Sequence, residues 1–332
     1  MIRGGDGYFA YENREDARRD EGVSANAAFG ISTQRTPIGG TMSGTRRIRR
    51  HGVRASAGLY GRRAVKPFAW AVLALALLLP AGCAAETARK PYGVFLSVTE
   101  DLRPLESYET VVVDAQYFSK EDIDAFKSSG HKVYSYINVG SLEEFRPYYE
   151  TFRDLTLAPY ENWDEEYWID VSDEGWQAFV IGELIPALLE KDVDGFFVDN
   201  CDVYYHYAEE PILDGLTAMM RAMISTGKAV LINGGDAYLD AYCAGGGRWE
   251  DVITGINQET VFSRILWDGD RFGRASREDR SYYTDYVERY AALGADVYLL
   301  EYTRSGLLRA EIDGYCRKNG FLCYVSDSVE LD

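Results

Sequence analysis

Histidine is almost missing from this chain of 332 residues: His51, His131 and His206 are all it has. Two histidines in the body, far apart in sequence, build no H-E-x-x-H or His-rich metal pattern. No G-x-S-x-G elbow is present to carry a Ser-His-Asp triad. Cysteine is also scarce, with five residues and no C-x-x-C pair. That excludes a disulfide-built scaffold and the common zinc and redox motifs. Gly245-Gly246-Gly247 is not followed by Lys-Ser/Thr, and Thr226-Gly227-Lys228 has no Walker spacing around it, so neither reads as a phosphate cradle. No metal and no organic cofactor is expected. Basic charge is short as well, 35 Lys and Arg against 53 Asp and Glu. Residues 1–82 hold 13 of the basic and 6 of the acidic residues, which leaves a net −25 from Cys83 onward. A body that acidic repels nucleic-acid phosphates, so DNA and RNA are excluded as partners.

What is present begins with an address. Residues 1–60 are rich in Arg, Gly and Ser without apolar periodicity, and read as a disordered leader, or as a start set too far upstream, with Met42 an alternative. Arg62, Arg63 and Lys66 then precede Phe68 to Pro80, an uncharged apolar run. Its length, about 13 residues, is short for a membrane span and suits a signal-peptide core. The run ends Pro80-Ala81-Gly82-Cys83, small residues before a cysteine that resemble a bacterial lipobox, although Pro80 stands where an aliphatic residue is usual. Residues 61–83 are therefore expected to be a lipoprotein-type signal segment, with Cys83 lipidated and the body held on the outer face of a bacterial membrane. The rival is an uncleaved anchor helix. Export permits disulfides, and Cys316 and Cys323, flanking the helix stop Lys318-Asn319-Gly320, are placed for one. Cys201 and Cys243 show no pairing signal.

From residue 91 to 332, apolar β-rich runs alternate with helical patterns. The runs are Tyr92–Ser97, Thr110–Asp114, Lys132–Asn138, Gly195–Asn200, Ala229–Asn233, Asp251–Asn257, Asp296–Glu301 and Phe321–Val325. Between them lie helices expected over Ser119–Ser128, Asp173–Glu190, Pro211–Ser225, Asp236–Ala241, Arg280–Leu293 and Ser305–Lys318. Continuous apolar strands separated by helices imply a parallel sheet covered on both faces. Eight of them over about 240 residues is the size of a single (β/α)8 TIM barrel. An open doubly wound sheet is the alternative. Tyr167-Trp168-Ile169-Asp170-Val171 also has strand character, and is assigned to a long loop after the third strand. No second domain or repeat is visible, and a monomer is expected.

Functional side chains of such barrels stand at the C-terminal ends of strands. Those ends carry Asp114, Tyr136, Asn138, Asp199, Asn200, Asn233, Asn257, Glu259, Glu301 and Tyr302. They offer carboxylates, amides and tyrosines, the material of paired-carboxylate chemistry. Glycoside hydrolysis needs two carboxyl groups flanking one bond, one ionised and one protonated, and burial beside a like charge can separate the two roles. Asp199, ending Gly195-Phe196-Phe197-Val198-Asp199, and Glu259, ending Ile253-Thr254-Gly255-Ile256-Asn257-Gln258-Glu259, are the pair delivered to one rim. Asp114, Tyr136, Asn138, Asp170, Asn200, Asp202, Tyr204, Asn233, Glu301 and Tyr302 are the candidates for holding substrate; Asp170 could equally support the helix start at Asp173. His131 and His206 read as surface or loop residues. Tyr148, Tyr149, Tyr160, Trp163, Tyr167, Trp168, Tyr204, Tyr205 and Tyr207 crowd two loops, where a flat apolar face with a polar edge suits a pyranose ring. About half of them are expected to pack the loops down instead.

In order along the chain, Tyr134-Ser135-Tyr136-Ile137-Asn138-Val139-Gly140, Tyr167-Trp168-Ile169-Asp170-Val171, Asp194-Gly195-Phe196-Phe197-Val198-Asp199-Asn200 with Asp202, Ile232-Asn233-Gly234-Gly235 and Asn257-Gln258-Glu259 resemble glycoside hydrolase family 114. These are the endo-α-1,4-polygalactosaminidase-like barrels. The resemblance runs over roughly residues 91–332 and implies a cofactor-free (β/α)8 hydrolase of α-1,4-linked galactosamine polymers. By motif position it makes Asp199 the nucleophile and Glu259 the acid/base, with retention of configuration expected. Gln258 departs from the acidic or small residue of many relatives. The amino-sugar polysaccharide is thus the expected partner, and its polycationic, de-N-acetylated form matches the acidic body. The alternative is a non-catalytic sugar-binding lipoprotein on the same barrel, which would have no need of both carboxylates at one rim.

Overall fold

Runs of Val, Ile, Phe and Tyr too short for helices, each preceded by a turn, form the strands of the body. The computed structural model describes residues 89–161, 164–267 and 271–332. The leader, the signal segment, Cys83 and Trp163 therefore lie outside the described residues. The chain lays down β1 (Lys90–Val94), β2 (Tyr108–Val113) and β3 (Lys132–Asn138) side by side and parallel. It then leaves the barrel for β4 (Ser141–Glu143), β5 (Thr156–Pro159) and β6 (Glu166–Ile169), an antiparallel sheet in the order β4–β6–β5. The strands β7 (Gly195–Asp199), β8 (Ala229–Asn233) and β9 (Gly255–Glu259) resume the barrel. A hairpin of β10 (Ser263–Leu266) and β11 (Arg271–Arg274) follows, and β12 (Asp296–Tyr302) and β13 (Leu322–Ser326) complete the eight-stranded sheet.

The sheet curls until its ends meet. Phe95, just past β1, lies 5.1 Å between ring centroids from Tyr324 of β13, and the Ser97 N–H donates to the Leu331 carbonyl at 3.4 Å. The fold is a nearly closed (β/α)8 barrel, not an open doubly wound sheet. Period-two alternation divides the strand residues between two cores. Tyr92, Val94, Val112, Tyr136, Phe197, Leu231, Leu300 and Tyr302 fill the barrel interior. Val111, Val133, Ile137, Phe196, Val198, Ile232, Ile256 and Leu299 face the surrounding helices.

The helices start where the sequence puts caps. Ser119 and Asp122 form a capping box for Lys120–Ser128, Asp173 caps Glu174–Phe179, and Ser276 and Ser305 open Arg277–Leu293 and Gly306–Asn319. Residues 174–190 run through a π-helical stretch, Val180–Leu184, which ends just before Pro186, a residue with no N–H for the regular ladder. Glu210–Ser225 packs on β8 and against the helix Asp236–Ala244. Among the described residues no helix is long and apolar enough to cross a membrane.

Four expectations change. The stretch read as loop around Tyr167–Val171 contains a true strand, β6, but one belonging to the antiparallel excursion and not to the barrel. The strand expected from Asp251 begins at Gly255, because Trp249–Asp251 closes into a 3-10 turn. His131 is buried: its Nδ1 donates to the Tyr108 carbonyl at 2.6 Å and its ring stacks 4.2 Å from Phe126. Cys316 and Cys323 are free thiols, as are Cys201 and Cys243. The two are nonetheless neighbours, as expected: the buried Cys316 is in side-chain contact with the Cys323 thiol, which also faces the Asp313 carboxylate at 3.7 Å.

Candidate active site

Counting by twos along the strands builds the site. Two residues beyond Val112, Tyr136, Phe197, Leu231, Asn257 and Leu300, all of which point inward, come Asp114, Asn138, Asp199, Asn233, Glu259 and Tyr302. All six are buried on the floor of the barrel mouth.

At the centre one amide bridges two carboxyls. Asn233 Nδ2 donates to Asp199 Oδ1 at 2.9 Å and to Glu259 Oε1 at 2.8 Å. The two hydrogens of an amide nitrogen diverge by about 120°, which sets those carboxyl oxygens about 5 Å apart. Tyr302 donates its hydroxyl to Glu259 Oε2 at 2.9 Å, and Asp199 is met by the Asn200 N–H and the Tyr136 hydroxyl. Burial pushes the Asp199 carboxyl up to about 6 against these hydrogen bonds. Burial, then the Asp199 charge, pushes Glu259 up to about 8 against the donors Asn233 and Tyr302. Near pH 7 the first is mostly ionised and the second mostly protonated. That is the division of labour general acid and nucleophilic chemistry requires.

Two further carboxyl systems flank this centre. Glu166, on β6, accepts through Oε1 from Asn138 Nδ2 at 3.1 Å, from Asn200 Nδ2 at 3.0 Å and from the Ser141 hydroxyl. Burial raises it to about 8, with the charges of Glu143 and Asp199 adding to the effect. Tyr160 donates to Asn200 Oδ1 at 3.1 Å. On the other flank, Arg146 is buried between Asp114, at 2.6 Å, and Glu143, with the Tyr136 hydroxyl 3.3 Å from Glu143. Burial raises the Glu143 carboxyl and the Arg146 charge opposes it.

The structure thus brings together Asp199, Glu259, Asn233, Tyr302, Tyr136, Asn138 and Asn200, while Asp114 is joined through Arg146 and Glu143. Asp202 accepts from the Gly235 N–H at 3.2 Å and ties the turn after β7 to the turn after β8. Of the remaining candidates, Glu301 faces away from the mouth, Asp170 follows its other expectation and supports the turn leading to Asp173, and Tyr204 packs toward the outer core. Glu301 shares the outward phase of Leu299, is wholly buried, and accepts from the Phe262 N–H at 2.9 Å, the Ser263 N–H at 2.8 Å and the Ser263 hydroxyl. Asp170 spends its carboxylate on its own turn, taking the Ser172 N–H at 3.0 Å and the Ser172 hydroxyl at 2.6 Å. Tyr204 lies half-buried against the outer core. Sequence reasoning missed Glu143, Arg146 and Glu166, which sit in the excursion after β3. Tyr92 was also missed, though its inward phase was available.

Most of the loop aromatics hold the loops down. Tyr160 lies 4.3 Å from Trp168 and Trp168 lies 4.6 Å from His206, while Tyr148 packs 4.7 Å from Phe179. Tyr205, Tyr117 and Phe145 remain exposed. No cluster of three or more His, Cys, Asp or Glu among the described residues is arranged to hold a metal ion.

Residues 83–233 match the model of Glycoside-hydrolase family GH114. The match takes in Asp199 and ends at Asn233. No curated protein matches the chain. Among solved structures it is similar to the glycoside hydrolase domain of PelA from Pseudomonas aeruginosa, at 17% identity and TM-score 0.60, over 73% of this chain and 96% of that one. It is also similar to Ega3 of Aspergillus fumigatus in complex with galactosamine, at 14% identity and TM-score 0.57, over 74% of this chain and 93% of that one. At such identities the likeness carries the barrel fold.

Proposed function

We propose that the chain, whose residues 83–233 match the model of Glycoside-hydrolase family GH114, hydrolyses α-1,4-linked galactosamine-containing polysaccharide with Asp199 as nucleophile and Glu259 as acid/base. The observation that carries this reading is the single Asn233 amide shared by two carboxyls of unlike acidity. A spacing of about 5 Å fits the roughly 5–5.5 Å of retaining enzymes and falls below the roughly 6.5–9.5 Å that leaves room for an inverting water.

Glu259, protonated near neutrality, gives its proton to the glycosidic oxygen as the bond to the anomeric carbon breaks. Asp199, ionised, attacks that carbon and forms a glycosyl ester. The Glu259 carboxylate then takes a proton from water, the water oxygen attacks the anomeric carbon, and Asp199 leaves as a carboxylate. Asn233 bonds both groups throughout, while Tyr302 holds Glu259.

Amine-bearing polymer is favoured by the net −25 of residues 83–332. An acidic body concentrates a polycation around it, and salt weakens this once charges lie beyond about 8–10 Å. Ega3, which shares the barrel and was solved in complex with galactosamine, supports the same sugar class by analogy. The body is proposed to be exported and lipid-anchored through Cys83, on the strength of the pattern over residues 62–83; intact mass of membrane-extracted protein should carry a diacylglyceryl group there. The function is tested by offering the protein galactosamine polymers of graded acetylation. Partly deacetylated polymer should be cut faster, with kcat/KM falling as salt rises and kcat holding. No cleavage of any of them refutes the proposed substrate, and equal rates at all salt concentrations remove charge from its recognition.

A further inference from the structure

Behind the shared amide lies a file of buried polar groups. Tyr92, on β1, donates its hydroxyl to Asn257 Oδ1 at 3.2 Å, and Asn257 Nδ2 donates to Asn233 Oδ1 at 2.7 Å. Tyr92 is 1% exposed, Asn257 0% and Asn233 4%. An Asn side chain has nearly the same shape when its oxygen and nitrogen are exchanged, so only its partners decide which end faces which way. For Asn233 the choice matters. With Nδ2 toward Asp199 and Glu259 it donates two hydrogen bonds; with Oδ1 there it would set a third acceptor against two carboxyl groups.

We propose that Tyr92, Asn257 and Asn233 form an oriented relay, running from the far wall of the barrel, that turns one amide nitrogen onto both reacting carboxyls and so fixes their spacing. The proposal rests on the reading of Asp199 and Glu259 as the reacting pair. Tyr92 stays protonated, burial holding it well above its ordinary range, and its hydroxyl is turned to give its hydrogen to Asn257 Oδ1. That donor commits Asn257 to receive through oxygen and give through nitrogen, and Asn257 commits Asn233 in turn. Tyr92 and Asn257 are positioning residues: neither bonds a reacting carboxyl, and both act through Asn233.

Other groups also bear on the pair. Tyr136, Glu143, Glu166 and Glu259 face Asp199 from β3, the excursion and β9, and Asp199, Asp202, Tyr302 and the Asn233 amide surround Glu259. None of them touches Tyr92's hydroxyl or Asn257's amide in the hydrogen bonds above, so removing the relay from its far end leaves them in place. Donation from Asn233 lowers both carboxyls. Losing its orientation must therefore raise both.

The test is a carbon-13 titration of the carboxyl groups in the whole protein, with Asp199→Asn and Glu259→Gln spectra assigning the two signals. Tyr92→Phe, which removes one oxygen and little volume, should raise both titrations by a few tenths of a pH unit; Asn257→Leu should raise them by about one. The acidic limb of kcat should move up with them, with KM nearly unchanged. Titrations left at their wild-type positions in folded Tyr92→Phe overturn the relay. The measurement needs no substrate, so its failure is distinct from failure of the glycosidase reading, which an unreactive wild-type protein would show while the titration still decides the relay.

Discussion

Asp199 and Glu259 close their strands in the same manner and are secured in different ones. Each is followed at once by a residue in the left-handed region, Asn200 at φ 64° and Thr260 at φ 53°. Asparagine tolerates that region, whereas a β-branched threonine there is a strained exception. Behind the Asn200 turn stands Glu166 with Ser141 and Tyr160, all contributed by the excursion between β3 and β7. Behind the Thr260 turn stands Glu301 of the neighbouring barrel strand, holding the N–H groups of Phe262 and Ser263. Glu259, the proposed acid/base, is thus backed by the barrel itself, and Asp199, the proposed nucleophile, by an insertion laid over it. A change in that insertion would act on Asp199 first and reach Glu259 only through the Asp199 charge and the shared Asn233 amide.

The largest expected effects remove one carboxyl at a time. Asp199→Asn and Glu259→Gln should each lower kcat on polymer by about 10³-fold or more while the fold persists, since each changes a charge or a proton and almost no volume. An aryl glycoside whose leaving group needs no proton separates the halves: Glu259→Gln should recover its first step there, and Asp199→Asn should not. In the wild type, acidities near 6 and 8 predict a bell-shaped kcat/KM with its summit close to pH 7. Recovery of Asp199→Asn on the activated substrate would exchange or abolish the assigned roles.

The next effect tests the insertion's grip. A Cβ at Gly140 would lie 1.7 Å from the Asn200 carbonyl oxygen and 2.7 Å from its carbon, so Gly140→Ala must displace the turn that immediately follows Asp199. A shift of even about 1 Å in a reacting group can cost about 10²-fold, and kcat should fall by that order, with the Asp199 titration moving more than that of Glu259. The Glu259 side yields the opposite sign. Thr260→Asn replaces a strained β-branched residue by one that accepts φ near 53°, and should stabilise the protein by about 1 kcal/mol in denaturant unfolding with kcat preserved. Destabilisation by Thr260→Asn would mean that the threonine side chain contributes more than its backbone costs.

The same contrast explains what could be read from the amino acids. Two strands, Lys132–Asn138 and Ala229–Asn233, coincide with their sequence limits because an apolar run, a turn before it and an amide at its end all agree. Asp199, Glu259 and Asn233 were legible for the same reason: they terminate strands. Glu301 terminated a strand as well, and strand ends alone do not say which face a residue occupies; its phase relative to Leu299 does. Glu143, Arg146 and Glu166 were not legible, because short antiparallel strands in a polar, aromatic segment have no periodicity long enough to register. Their burial follows from tertiary pairing with Asn138, Asn200 and Asp114, which no local pattern records.

The smallest effect separates the two carboxyls by stability alone. Both are raised in the folded protein above the usual carboxylate range, Asp199 to about 6 and Glu259 to about 8. Between the unfolded and folded values the native state holds more protons than the unfolded state, so stability falls as pH rises through that interval. The loss from Asp199 is complete a little above pH 6, and that from Glu259 continues to a little above pH 8. Neutral amides do not titrate, so at pH 9 both Asp199→Asn and Glu259→Gln should melt higher than wild type. Glu259→Gln should gain more, because its carboxyl is shifted further. At pH 4, where these carboxyls are largely protonated in the folded wild type, the three proteins should melt together. Glu166 and Glu301, raised to about 8 and about 7, remain in all three and give each the same underlying decline. The difference between variants, not the slope of any one, is therefore the quantity to measure, and a larger gain for Asp199→Asn would reverse the order of acidity on which the assignment of nucleophile and acid depends.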